Sequence, residues 1–338
     1  MRLPTRSLQH LLTSLLLACL FASPTLQALE NTGGVRSLRA ADVHPEDYPT
    51  VQAMLFMHQR VSRSSAGKLA IQVFPSGLLG DEAPLLRLVQ SGELDMNRIS
   101  AQALDGLSPL TRVLSLPYVF RDSEHQHKVL DGPIGREVLD SLRAYGLIGL
   151  AFYDSGTRNL YSSKKPVQRL EDLKDLEIRV QPSDLSMAVF EKLGAKPVKL
   201  PFSQTGNALS NGLISAAENN LPSYASTEHY KHAPYYTFSR HTMTPDVLVV
   251  SRISWDKLTP TEQALLRTAA AESVPMMRDM WQQREERVEA TLRLAGVKFI
   301  ELPLEQLARF AEAVQPLYAQ FTGSPPQQDL IKRIRAVK

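Results

Sequence analysis

Several things are scarce in this 338-residue sequence, and each scarcity excludes something. Cys19 is its one cysteine, which rules out an intrachain disulfide and a cysteine-based zinc site. Neither sign of charge is in excess: the formal net charge is +3, and Arg2 and Arg6 account for two of those charges. A nearly neutral body argues against nucleic acid as a partner, which would call for a concentrated basic face. Beyond Ala28 no apolar run approaches the ~20 residues needed to span a bilayer. There is no Gly-x-Ser-x-Gly elbow and no Gly-x-x-x-x-Gly-Lys loop, so neither a hydrolase nucleophile nor a phosphate cradle is marked. Internal repeats and low-complexity segments are also missing. Glu124-His125-Gln126-His127 and His229-x-x-His232 have no second ligand cluster at a zinc spacing, so they read as surface or capping histidines and no metal is expected.

What remains is ordinary globular composition, 43% hydrophobic and 22% charged, over a length that suggests about two domains at roughly 150 residues each. Residues 1–28 read as a secretory signal peptide: Arg2 and Arg6, then the uncharged run Leu11 to Ala22, then Pro24 and the small residue Ala28. A buried N-terminal helix is the plainer alternative. Leu16-Leu17-Ala18-Cys19 resembles a lipobox with an unusual Leu17, so lipid anchoring at Cys19 stands beside free export to the periplasm.

Along the chain, strand and helix signals alternate. Val35 to Val43, Leu69 to Phe74, Leu94 to Ile99 and Leu147 to Tyr153 read as strands, with helices over Tyr48 to Val61 and Glu82 to Ser91 between them. This rhythm predicts α/β layers with a mostly parallel sheet. A second such unit follows: strand Leu176 to Val180, a helix capped by Ser183 and closed by Gly194, strand Pro197 to Leu200, a helix over Phe202 to Ser210, and strand Ile214 to Ala217. Val247 to Ser251 is a later buried strand. Thr259-Pro260-Thr261-Glu262 is a capping box opening a helix of about 36 residues, roughly 54 Å at 1.5 Å per residue, which must bridge two domains or lie across both. Gln283 to Glu289 reads as its solvated face, and the basic tail from Ile331 as a solvated end. Trp255 and Trp281 read as packing, and Tyr153-Asp154-Ser155-Gly156 as a turn.

Ligands of open α/β sheets bind outside the carboxyl ends of strands, where Arg179 and Glu218-Asn219-Asn220 fall. Arg179 interrupts an apolar strand, and Arg158 follows a strand-ending turn. A buried guanidinium needs a partner. Two readings stand for Arg179: an internal salt bridge, to Glu177 or Glu218, or a carboxylate ligand gripped by the planar fork.

An ordered set of motifs resembles one family. Leu79-Gly80-Asp81-Glu82, Gly92-Glu93-Leu94-Asp95-Met96, Pro117-Tyr118-Val119-Phe120, Gly156-Thr157-Arg158, Leu170 to Val180, Gly194 to Val198, Ala208 to Gly212 and Glu218-Asn219 are similar to the solute-binding proteins of tripartite ATP-independent periplasmic (TRAP) transporters, over about residues 35–320. Ser215-Ala216-Ala217 depart from that family's Asp-Gly-Gln pattern. Asp95 to Arg98, Glu218 to Tyr224, His229, Tyr235-Tyr236, Arg240-His241 and Pro245-Asp246 resemble the members that bind hexuronates.

The resemblance implies an α/β, two-lobed, type II-like periplasmic binding protein with mixed sheets flanked by helices and a long helix bridging both lobes. Lobe I would hold residues 35–156 and 246–283, and lobe II 157–245 and 284–325, with crossings near Gly156, Pro245 and Gln283. It further implies an organic acid ligand, best a hexuronate, with Arg179 on its carboxylate and Arg158 and Asn219 assisting. His44, Glu82, Asn97, Arg98, Asn220, Tyr224 and His241 would meet its hydroxyls. The expected partner is a membrane permease pair; no cofactor, no catalysis and a monomer are expected. A C4-dicarboxylate, 2-oxo acid or aromatic acid is the rival ligand. A periplasmic enzyme on acidic sugars and a sensory partner are the rival functions.

Overall fold

The alternating and helical-period stretches fold as two β-sheets wrapped in helices, over the described residues 34–338 of a computed structural model. The signal-peptide and Cys19 readings lie outside the described residues. The first part runs β1 (Arg36–Ala41), α1 (Pro49–Ser64), β2 (Leu69–Phe74), α2 (Glu82–Ser91), β3 (Met96–Ser100), α3 (Pro109–Leu114), α4 (Ser123–Asp131), α5 (Pro133–Ser141) and β4 (Leu147–Tyr153). The middle runs β5 (Arg158–Ser162), β6 (Glu177–Val180), α6 (Asp184–Lys192), β7 (Lys196–Lys199), α7 (Thr205–Ser210), β8 (Ala216–Asn219), α8 (Leu221–Ser226) and β9 (Tyr235–Thr242). It ends with β10 (Asp246–Ser251), α9 (Arg252–Trp255), α10 (Pro260–Leu294), β11 (Lys298–Glu301), α11 (Leu304–Val314), α12 (Pro316–Phe321) and α13 (Pro325–Ala336).

One sheet has the order β2-β1-β3-β10-β4 and the other β11-β9-β5-β8-β6-β7. Both are mixed, which corrects the mostly parallel sheet expected from the strand–helix rhythm. β1 and β3 run parallel, but β10 inserts antiparallel beside both β3 and β4, with Leu248 opposite Arg98 and Ala151. In the second sheet β6 is parallel to β7 and β8, whereas β5 is antiparallel to β8 and β9. The reason lies in the connections. β5 and β10 each arrive from the other sheet through the short crossings 154–157 and 243–245, with no crossover helix to hold them parallel.

Helix α10 opens with the predicted capping box, Thr259 and Glu262 bonding reciprocally with Pro260 at the first position, and Gly296 lies beyond its end at φ 88°. It packs against α1 and β4 on the first sheet and against α8 beside the second. Residues 37–338 form one compact unit.

Three sequence expectations change. Phe202 to Ser210 is broken into a 3₁₀ turn, Phe202–Gln204, and α7. The charged face Gln283 to Glu289 is only partly solvated: Arg284 turns in over the Tyr48 ring and bonds Asp47, and Glu285 is half-buried. The basic tail is not a free end. Leu330 and Ile334 are buried in α13, Arg333 forks onto Glu137 at 2.7 and 2.9 Å, and His125 Nε2 meets the Ile334 carbonyl at 2.9 Å. Leu330, Ile331 and Ile334 share one helix face, an apolar stripe that the surrounding basic residues mask in a reading of charge alone.

Candidate functional site

Carboxyl ends of β1, β3, β6 and β8 converge with the amino ends of the antiparallel strands β5 and β10. A pocket there is lined by Val43, His44, Glu82, Arg98, Ser100, Ser155 and Asp246 on the side of the first sheet, and by Arg158, Gln181, Phe202, Asn219, Asn220 and Ser223 on the other. A second pocket shares Glu82, Gln181 and Phe202 with it and adds Arg179, Pro182, Pro201, Asp81, Ala83, Pro84 and Ala103.

Arg98 and Arg179 are the largest fully buried side chains of the described residues, 2% and 1% exposed. Their surroundings differ. Arg98 donates to Asp42 at 2.7 Å, to Glu82 at 2.9 Å and to Asp246 at 3.2 Å. Burial works against its charge, but those carboxylates override it and hold Arg98 well above its ordinary range. Two of these acids are themselves fixed: Asp42 accepts the His44 N–H and the Thr50 hydroxyl, and Glu82, in the first turn of α2, accepts the Ser100 N–H at 3.0 Å. Burial first, then Glu82 and Asp42, push Asp246 up to about 7 against the pull of Arg98.

Arg158 opens β5 and lies across β8. Its Nη2 donates to Glu218 Oε1 at 2.7 Å, its Nε to the other oxygen, and its Nη1 to Asn219 Oδ1 at 3.0 Å. Burial would raise the Glu218 carboxyl; Arg158 and His241 instead hold it at about 2. Glu218 is therefore the internal partner of Arg158, not of Arg179. Arg179 donates its Nε to the Leu200 carbonyl at 3.0 Å, and no carboxylate among the described residues pairs with it. Burial pulls it below its ordinary value, only partly offset by Glu218. Arg179 lines the second pocket.

Five buried polar atoms without a hydrogen-bond partner lie at these pockets: His44 Nδ1 and Gln181 Oε1 at the first, and Gln102 Oε1, Ser115 Oγ and His241 Nε2 at a third beside Glu218. His44 stacks on Tyr48 at 3.9 Å, and burial lowers it to about 3, so it is neutral. His241 faces Glu218 Oε2 at 3.4 Å without hydrogen-bond geometry, while its Nδ1 meets Ser239.

Of the sequence candidates, His44, Glu82, Arg98, Arg158, Asn219 and Asn220 come together at the first pocket, and Arg179 and His241 line its neighbours. Asn220 does more than line it: its Oδ1 caps α8 by accepting the Ser223 N–H, and its amide holds the Ser155 carbonyl in the crossing between sheets. Tyr224 and Asn97 correct the expectation that they face the pocket. Tyr224 sits among Tyr161, Tyr236 and Tyr230, its hydroxyl donated to the Ala233 carbonyl at 2.7 Å. Asn97 alternates with Arg98 on β3 and so points to the opposite face. Asp42, Gln181 and Phe202 were missed, although Asp42 carries the same signal as Arg179, a charge breaking an apolar strand end.

Contacts across the cleft hold its walls together. The Tyr48 hydroxyl meets Ser223 Oγ at 2.8 Å, Ser203 Oγ donates to Asp81 at 2.6 Å, and Gln102 donates to Ser186. The histidines flagged by spacing serve structure: His127 Nε2 meets Asp154 at 2.8 Å and His229 Nδ1 meets the Tyr161 hydroxyl at 2.9 Å.

A cleft between two mixed sheets, with an uncompensated buried guanidinium in it, is the arrangement of a binding protein for anions. The family model "Bacterial extracellular solute-binding protein, family 7" matches residues 40–324. The chain belongs to this family. It is a TRAP-transporter solute-binding protein, as its neighbours agree. A TRAP periplasmic solute-binding protein from Bradyrhizobium sp., in complex with α/β-D-galacturonate, is 45% identical, with a TM-score of 0.87 over 89% of this chain and 99% of that one. One from Pseudomonas putida F1 with bound D-glucuronate is 34% identical, with a TM-score of 0.86 over 89% and 97%. The 2,3-diketo-L-gulonate-binding periplasmic protein YiaO of Escherichia coli is 30% identical over 80% of this chain and 83% of its own length. TRAP solute-binding proteins are periplasmic, bind small organic acids and work with membrane permease subunits; they are binders rather than enzymes. No helix among the described residues is long and apolar enough to cross a membrane.

Proposed function

We propose that this solute-binding protein captures a hexuronate, D-galacturonate or D-glucuronate, and hands it to its permease without chemical change. One observation carries the reading: Arg179 is a fully buried guanidinium with a single backbone partner and no carboxylate among the described residues. Desolvating such a charge is costly unless an anion meets it, and the fork fits a carboxylate bidentately. Arg158 and Asn219, already locked to Glu218 and to each other, supply a rigid polar wall beside it. His44, Gln181, Glu82 and Arg98 offer acceptors and donors to ring hydroxyls. The galacturonate- and glucuronate-bound neighbours support the same ligand class.

The chain acts as an exported monomer, its signal peptide ending near Ala28 and Cys19 removed with it rather than lipidated. Two lobes, 35–156 with 246–283 and 157–245 with 284–325, close around the ligand by flexing at Gly156, Pro245 and Gln283, and open to release it. Arg98 and Glu82 belong to the first lobe, Arg158, Arg179 and Asn219 to the second, so closure completes the site. A thermal-shift panel tests the ligand class. Saturating D-galacturonate or D-glucuronate raises the melting temperature, corresponding to about 2.7 kcal/mol at a hundred times the dissociation constant, and galactose or glucose does not. Equal shifts from the acids and the neutral hexoses remove the reading.

A further inference from the structure

The charges around the pocket are unequal. Three guanidiniums, Arg98, Arg158 and Arg179, stand among four carboxylates, Asp42, Glu82, Glu218 and Asp246. Glu218 neutralises Arg158, and Arg98 is shared by the other three acids. Among the described residues, one added anion therefore finds one free cation at these pockets, Arg179. A second finds none, because the next charged groups lining the pocket are the carboxylates of Glu82 and Asp246, with Asp81 adjoining. Arg284 offers no relief, since it is held by Asp47 and lies over Tyr48.

We infer that this pocket distinguishes sugar monoacids from sugar diacids, and that Glu82 and Asp246 set the distinction. The inference rests on the hexuronate reading above and deepens it. Carboxylate oxygens accept hydrogen bonds, so Glu82 and Asp246 suit the hydroxyl donors of a sugar ring. A second ligand carboxylate would bring acceptor against acceptor and like charge against like charge in a desolvated space. His44, kept neutral, adds a ring nitrogen without a partner, suited to a hydroxyl rather than to an anion.

The test is calorimetric titration at pH 7.5 of D-galacturonate and of galactarate, the diacid made by oxidising its C1, into the parent, Glu82→Gln and Asp246→Asn. Both substitutions keep the shape and an acceptor oxygen for Arg98 while removing charge. The parent binds galactarate on the order of a hundredfold more weakly than galacturonate. Each variant narrows that gap by about tenfold, through tighter galactarate binding. Galactarate within about threefold of galacturonate in the parent overturns the inference. So does a gap that both variants leave unchanged, because shape and not charge then excludes the diacid. If one variant fails to fold, the other decides. If the parent binds neither acid, the hexuronate reading falls and takes this preference with it; if it binds both equally, the hexuronate reading stands and only the preference falls.

Discussion

Arg98 and Arg179 are equally buried, each on a short interior strand of a mixed sheet, yet they are opposites in company. Arg98 holds three carboxylates and is held by them. Arg179 has a backbone carbonyl and an open fork. The first is a keystone of its sheet, because removing it would leave the carboxylates of Asp42, Glu82 and Asp246 facing one another without a counter-charge. The second weakens its own surroundings until an anion arrives. Burial of a charge therefore does not distinguish a binding residue from a structural one; the count of its partners does. Arg158 lies between the two cases, paired by Glu218 yet lining the pocket.

The largest effect expected from this contrast is on stability. Arg98→Ala should cost about 3–5 kcal/mol in urea unfolding, the range for breaking a buried ion pair from one side. A variant as stable as the parent would mean that the acids are not held by Arg98, and the contrast would collapse. Arg179→Lys should do the reverse. Lysine keeps the charge and loses the fork, so the ligand-free melting curve stays close to the parent's. Hexuronate affinity falls by about 2–5 kcal/mol, roughly 30- to several-thousand-fold. Affinity within about threefold of the parent would move the carboxylate clamp to another arginine.

How much of this the sequence makes legible differs along the chain. Helix α10 is legible almost to the residue because its capping box and closing glycine are local signals. The strand carrying Arg179 is legible from its apolar pattern, and the charge inside that pattern marks Arg179 itself. The partner of that charge was not legible: Glu177 and Glu218 were equal candidates, and only the register of β5 against β8 gives Glu218 to Arg158. Asp42 and Asp246 meet Arg98 because β1 and β10 flank β3, a topology that periodicity along the chain does not encode. Tyr224 follows the site motif closely in sequence, but the first turn of α8 swings it into an aromatic cluster.

A smaller effect tests whether the two regions act together. Tyr48 belongs to the Arg98 side, and its hydroxyl meets Ser223 at 2.8 Å and Asn220 at 3.3 Å on the Arg179 side. Tyr48→Phe removes these bonds and keeps the stacking on His44. Hexuronate affinity should fall by about 0.5–1.5 kcal/mol, roughly two- to tenfold, through faster dissociation. Stopped-flow displacement would check it; an unchanged off-rate would mean that closure does not depend on this contact.

The smallest effect is in pH dependence, and it again separates the acid-rich region from the rest. Asp246 is raised from 3.8 to about 7, so the folded chain binds a proton that the unfolded chain releases between those values. Its contribution to stability therefore falls as pH rises through that window and is fully lost above it. Glu285, raised from 4.5 to about 7 mainly by burial, adds in the same sense. His44 and His229 are each lowered from 6.5 to about 3, burial being the main cause, and so lose stability as pH falls below 6.5. Glu218, held at about 2, is lost only as pH drops from 4.5. Between pH 4.5 and 6.5 the raised acids and the lowered histidines oppose each other and the ligand-free melting temperature should change little. From pH 6.5 to 8 only the acids act, and it should decline. Asp246→Asn cannot ionise, so its decline over pH 6.5–8 should be shallower than the parent's at matched ionic strength. The same slope in both proteins would show that the Arg98 cluster already holds Asp246 ionised at pH 6.5. Arg98 would then be surrounded by three full negative charges rather than by two and a shared proton.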